Sequence, residues 1–199
     1  DFNNLYIGVG NGSPWTRVIR SPGGGDNLFL SSIVALNADT GKMKWYYQTT
    51  PGDNWDYTAT QDIMLADMEV DGVERKVLMQ APKNGFFYVL DRKNGELLRA
   101  HKYTEVNWAT HVDMETGRPV ENPEKDYTNE KQWILPGALG GHNWQAMSFD
   151  PELGLVFIPE QKSTTIYKMT EEWLQTGKIK YKAKSWNTGI EIAKYLDLA

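Results

Sequence analysis

Residues 34–45, VALNADTGKMKW, and residues 88–99, YVLDRKNGELLR, are two versions of one pattern. Each opens with residues that favour strands, passes through Asn or Asp into a tight turn closed by Gly, and returns on a second strand. Gly41 and Gly95 supply the positive φ that such a hairpin demands. The two glycines stand roughly fifty residues apart, and VDMETGRPV (112–120) echoes the same turn. Recurrence on that scale, with about four strands per unit, predicts a β-propeller. A meander within a sandwich is the alternative. Trp45 follows Gly41 by one short strand, where a rim aromatic can wedge between blades.

Outward from these two hairpins the same texture continues. NLYIGVG (4–10) alternates and is rich in β formers. IMLADMEVDGVERKVLMQA (63–81) is a hairpin with Asp71-Gly72 at its turn, GFFYVLDRKNGELLRAHKY (85–103) turns at Asn94-Gly95, and QAMSFDPELGLVFIPEQ (145–161) turns near Pro151 and Gly154. The expected fold class is therefore all-β, built of antiparallel propeller blades. Residues 4–48 give a partial blade, 61–103 a complete blade, and 142–161 the start of the next. The stretches 104–141, with Pro119, Pro123 and Pro136, and 163–199 are expected to be loop-rich. EEWLQ (171–175) is either one short helical turn or a loop, and GIEIAKYLDLA (189–199) either an amphipathic end or a strand. What would close a propeller is missing, so the chain is expected to be a segment of a larger ring.

The 199 residues carry 21 Lys and Arg against 26 Asp and Glu, a formal net charge of −5. That balance argues against nucleic acid or an anionic membrane as partner. No apolar stretch approaches the length of a membrane span, and no signal peptide opens the chain. There is no Cys, which excludes disulfides, thiolate zinc sites, iron–sulfur clusters and covalently attached c-type haem within it.

Four turn-like clusters lie beside the expected strands: GNGSPW (10–15), PGDNWDY (51–57), APKNGFF (81–87) and GGHNWQ (140–145). At one end of a propeller such loops converge. Together they offer carboxylates, an ammonium, amides and indoles, a set that suits a flat anionic ligand beside a hard metal ion. Asn and Asp oxygens suit calcium or magnesium, while the lack of Cys argues against zinc. Within PGDNWDY, either acid flanking Trp55 is also a good turn cap. The motif thus leaves open whether Asp56 closes a turn or moves a proton.

In order and spacing, GNGSPW, GDNL (25–28), ALNADTGKMKWYYQTTPGDNWDY, APKNGFFYVLDRKNG and GGHNW resemble the pyrroloquinoline quinone (PQQ)-dependent alcohol dehydrogenases, the quinoprotein family, over residues 4–162. The resemblance implies an eight-bladed propeller and a periplasmic enzyme that oxidises primary alcohols with PQQ and Ca²⁺. It makes Asp56 the catalytic base and a metal-side carboxylate, and Asn11 an amide ligand to Ca²⁺. Lys83 becomes the cation at the quinone oxygens, and Asn143 and Trp144 cofactor contacts. Trp55, Trp108, His142 and Trp144 are candidate walls, although His142 can equally be a loop histidine facing solvent. Lys83 resembles the ethanol-type enzymes, where methanol-type enzymes tend to carry Arg. Thr58 stands where lanthanide-dependent relatives carry a further Asp, which implies a calcium-type site. The family's glutamate metal ligand, tryptophan floor and adjacent-cysteine disulfide are expected upstream of Asn11, outside this chain, so the segment alone is expected to be inactive. Electrons are expected to pass to a cytochrome c or to a haem domain absent from this chain. A non-catalytic scaffold propeller of the PQQ-repeat type is the alternative. A sugar-oxidising propeller is disfavoured, because no His lies near position 56.

Overall fold

The computed structural model describes residues 2–193. β1 (Asn4–Gly8), β2 (Ser32–Asn37) and β3 (Met43–Gln48) form an antiparallel sheet in that order, with the single-turn helix α1 (Arg17–Arg20) between β1 and β2. β4 (Met64–Val70), β5 (Val73–Gln80), β6 (Phe86–Asp91) and β7 (Leu97–Lys102) make a four-stranded meander. β8 (Ala109–Asp113) pairs with β9 (Arg118–Glu121). β10 (Gln132–Ile134) follows, then the hairpin β11 (Ser148–Asp150) and β12 (Leu155–Phe157). β13 (Thr165–Met169), the short helix α2 (Glu171–Thr176) and β14 (Ile190–Ala193) complete the described chain. The architecture is nearly all antiparallel sheet, as the hairpin pattern predicts.

The repeated turn is one structure. Gly41 N donates to Asn37 O and Gly95 N to Asp91 O, both at 2.9 Å, and the two glycines have φ of 68° and 78°. Asn37 Oδ1 accepts from Thr40 N and Asp91 Oδ1 from Lys93 N, so the polar residue at the strand end ties the turn down. Both hairpins also carry a bulge one residue pair above the turn, at Ala35/Leu36 and at Val89/Leu90. Asp113 with Gly117 closes the β8–β9 turn in the same way.

Sheets stack through this repeat. Trp45 on β3 is buried against the turn of the next sheet, where its Nε1 donates to Arg92 O at 3.2 Å. A Cβ on Gly95 would lie 2.6 Å from the indole, so only glycine lets the ring lie flat there. Tyr47 repeats the device on the following turn, its hydroxyl donating to Gly117 O at 2.7 Å. Strand alternation buries both faces of the four-stranded sheet. Leu78 and Leu90 face the first sheet with Ile33, Ala35 and Trp45. Val77, Met79, Val89 and Leu98 face the other way, toward Phe149 and Val156 of β11–β12.

Two stretches expected to be loop-rich also hold strands. Residues 104–141 contain β8, β9, a 3-10 turn at Pro123–Lys125, and β10; residues 163–193 contain β13, α2 and β14. β13 pairs with β10 on one side and β14 on the other. Neither pairing is a tight hairpin, so no turn signature announces it. EEWLQ is helical, held between the Thr170 side chain, which accepts from Trp173 N, and Gly177 at φ 65°. GIEIAKYLDLA begins as strand β14, and its residues 194–199 lie outside the described residues.

Candidate active site

The loop 51–58 leaves β3 and crosses the end of the sheets. Of its two acids, Asp53 is the turn cap. Its Oδ1 accepts from Trp55 N and Tyr57 N, both at 3.1 Å, and the residue is fully buried. Burial pushes its carboxyl up to about 7, against the opposing pull of those two amides and of Arg20. Asp56 does not cap. It sits at φ 68°, in the left-handed region that few non-glycine residues enter, although Asp is among the more tolerant.

Five consecutive carbonyls of this loop are each taken by a different side chain. Arg20 Nη2 donates to Asp53 O at 2.6 Å, Tyr127 Oη to Asn54 O at 2.5 Å, and Tyr167 Oη to Trp55 O at 2.8 Å. Lys83 Nζ donates to Asp56 O at 3.2 Å, and Ser31 Oγ to Tyr57 O. Beneath the loop, Trp55 packs against Trp108, ring centroids 4.7 Å apart, and both are buried. Trp55 thus anchors the loop on Trp108. Arg17 lies over Trp55 and makes a bidentate pair with Glu121 at 2.7 and 2.5 Å, tying β9 to the same place.

Three of the residues singled out by sequence come together here. Lys83 Nζ lies 3.1 Å from Asp56 Oδ2, with only 11% and 16% of the two side chains exposed. The Asn11 side chain donates to Gly12 O at 3.2 Å and lies near enough to Asp56 to favour its ionised form. Burial raises the Asp56 carboxyl above its usual range, while the Lys83 charge, the Lys83 hydrogen bond and the Asn11 side chain pull it back. The outcome is a largely desolvated carboxylate held beside a fixed cation.

The GGHNW loop reaches this pair through its glycines. A Cβ at Gly140 would stand 2.6 Å from Lys83 Cγ, and Gly141 N donates to Lys83 O at 3.1 Å. His142 is not a solvent-facing loop residue. It is fully buried, with Nδ1 2.7 Å from Ala81 O and Nε2 2.6 Å from Gln145 O, and so splints the loop onto the segment that follows β5. Asn143 donates to Leu139 O at 3.0 Å, and Trp144 is 81% exposed. Neither is hydrogen-bonded to Asp56 or Lys83.

The donor chemistry around Asp56 fits a hard cation in kind. Asp56 and Asn11 bring oxygen-bearing side chains, but among the described residues no group of three or more His, Cys, Asp or Glu could hold a metal. An ion of the calcium type takes six to eight oxygens, more than these two side chains offer. Two clefts of about 250 and 230 Å³, at Asp26, Tyr47 and Arg118 and at Arg17, Asn54 and Glu121, are lined by neither Asp56 nor Lys83.

Residues 2–120 match the PQQ family described as the glucose/ethanol/alcohol dehydrogenase β-propeller domain. The chain is 55% identical over 194 residues to a quinohemoprotein alcohol dehydrogenase, ADH IIB, of Pseudomonas putida, covering 98% of the chain and 27% of that relative. Among solved structures it resembles the quinohemoprotein alcohol dehydrogenase of Comamonas testosteroni, with TM-score 0.89 and 45% identity over 96% of this chain and 29% of that one. It also resembles a europium-containing methanol dehydrogenase, with TM-score 0.86 and 34% identity over 96% of this chain and 32% of that one. The chain thus spans about a quarter of the length of the curated relatives it matches.

Proposed function

Since the chain belongs to the glucose/ethanol/alcohol dehydrogenase β-propeller family, we propose that the protein containing it is a periplasmic, calcium-type quinoprotein alcohol dehydrogenase acting on small primary alcohols. The observation that carries this reading is the desolvated Asp56–Lys83 pair with Asn11 beside it. A scaffold propeller has no use for a buried carboxylate–ammonium pair, which takes two charges out of water.

When bound, PQQ with Ca²⁺ would supply the hydride acceptor and a Lewis acid beside it. Asp56 then accepts the alcohol's hydroxyl proton, its basicity raised by burial and its ionised form maintained by Lys83 and Asn11. Lys83 brings positive charge to the place where negative charge develops on reduction. Asn11 and Asp56 are the metal ligands from this chain, and Asn143 and Trp144 its cofactor contacts. Thr58, in place of a further carboxylate, favours a divalent over a trivalent ion. The name quinohemoprotein among the relatives supports a haem group as electron acceptor, in a further domain or in a cytochrome c.

The test is Asp56→Asn in the full-length protein, after PQQ and Ca²⁺ contents have been measured. Turnover of ethanol should fall by about two to four orders of magnitude. A fully loaded variant that turns over at the wild-type rate rules out Asp56 as the base.

A further inference from the structure

Asp53 is a fully buried carboxyl that proton transfer at Asp56 does not use. It nevertheless governs where that carboxylate sits. Asp53 Oδ1 accepts from Trp55 N and Tyr57 N, the amides on either side of Asp56. Between these two held amides, residue 56 has φ 68°. For a residue with a Cβ that conformation is disfavoured, and it persists only where the surroundings over-determine it. The carbonyl side of the loop is fastened by five separate side chains. The amide side has one acceptor atom for both amides, Asp53 Oδ1. Released, residue 56 would relax toward an ordinary φ and turn its carboxylate away from Lys83 Nζ, now 3.1 Å distant.

We propose that Asp53 is the positioning residue of the active site, setting the Asp56 carboxylate against Lys83 by gripping the amides of Trp55 and Tyr57; this rests on the reading of Asp56 as the base. Asp53 touches no reacting atom. It acts through main-chain geometry, so what matters is its acceptor oxygen and not its charge.

Asp53→Ala and Asp53→Asn in the full-length protein separate these roles. An amide oxygen can accept the same two N–H groups, whereas alanine accepts none. Asp53→Ala should lower kcat by about ten- to a hundredfold with KM little changed, the scale of an ångström-sized misplacement of a catalytic group. Asp53→Asn should restore most of that loss. Independently of turnover, amide hydrogen exchange across residues 51–58 in the PQQ-free protein should accelerate in Asp53→Ala and stay near wild type in Asp53→Asn. If Asp53→Ala does not fold, Asp53→Ser, whose single hydroxyl reaches at most one amide, should show intermediate exchange and intermediate kcat. Unchanged exchange in Asp53→Ala or Asp53→Ser overturns the proposal, and so does an Asp53→Asn variant as impaired as Asp53→Ala. If Asp53→Ala speeds exchange without lowering kcat, and Asp56→Asn also turns over normally, the base assignment fails and the grip of Asp53 on the loop stands.

Discussion

A carboxyl group withdrawn from water holds its proton more tightly, and the two acids flanking Trp55 are withdrawn to different depths. Asp53 is wholly enclosed and raised to about 7; Asp56 is raised less completely, because Lys83 and Asn11 answer its charge. The consequence for stability can be signed. The folded chain keeps the Asp53 proton up to about pH 7, whereas the unfolded chain releases it near 3.8. The contribution of this group is thus fully present below the unfolded value and is lost as pH rises through about 7, at up to about 1.4 kcal/mol per pH unit. Asparagine mimics the protonated form at every pH. Melting temperatures measured at pH 5 and pH 8 should therefore show Asp53→Asn gaining on wild type as pH rises. A constant difference between the two proteins would mean that Asp53 is already ionised in the fold at pH 5. From sequence alone Asp53 and Asp56 are equivalent turn acids. Family likeness distinguishes Asp56, but which of them caps is decided by the direction of two amides, and no motif encodes that.

Hairpins announce themselves and distant pairings do not. Alternation and a turn glycine sit within one short window for β2–β3, β4–β5 and β6–β7, so these elements are legible residue by residue. β13 meets β10 across some thirty residues that include the β11–β12 hairpin and meets β14 across a helix and a loop. Its five residues, TIYKM, carry too little alternation to stand out. Yet this strand delivers Tyr167, whose hydroxyl holds Trp55 O and whose ring stacks on Tyr127 at 5.3 Å. Tyr167→Phe keeps the stack and leaves a buried carbonyl without its donor. It should cost about 1–3 kcal/mol in denaturant unfolding. Turnover should fall only by a few-fold, since four other carbonyl holds on the loop remain. Unfolding indistinguishable from wild type would show that water replaces the hydroxyl.

On the scale of the whole molecule, sheets are coupled where an aromatic of one sheet lies on a turn of the next. Trp45 on the Gly95 turn is the clearest case, joining indole area and the hydrogen bond to Arg92 O. Trp45→Ala opens a cavity between sheets and should destabilise by about 3–5 kcal/mol, read as a lowered denaturation midpoint. A loss below 1 kcal/mol would mean that the sheets are held together elsewhere. The same convergence of distant elements explains why the loop that carries Asp56 will respond unevenly to mutation. Its carbonyls are moored to residues 20, 31, 83, 127 and 167, which belong to helix α1, three separate loops and strand β13. Such an arrangement has spare constraints, and sequence drift at any one mooring is absorbed by the rest. The amides of Trp55 and Tyr57 have no spare, since Asp53 Oδ1 alone accepts from both. Robustness and fragility thus lie on opposite edges of one short loop. Sequence variation elsewhere in the chain therefore has little leverage on the angle at which Asp56 is held, unless it reaches Asp53.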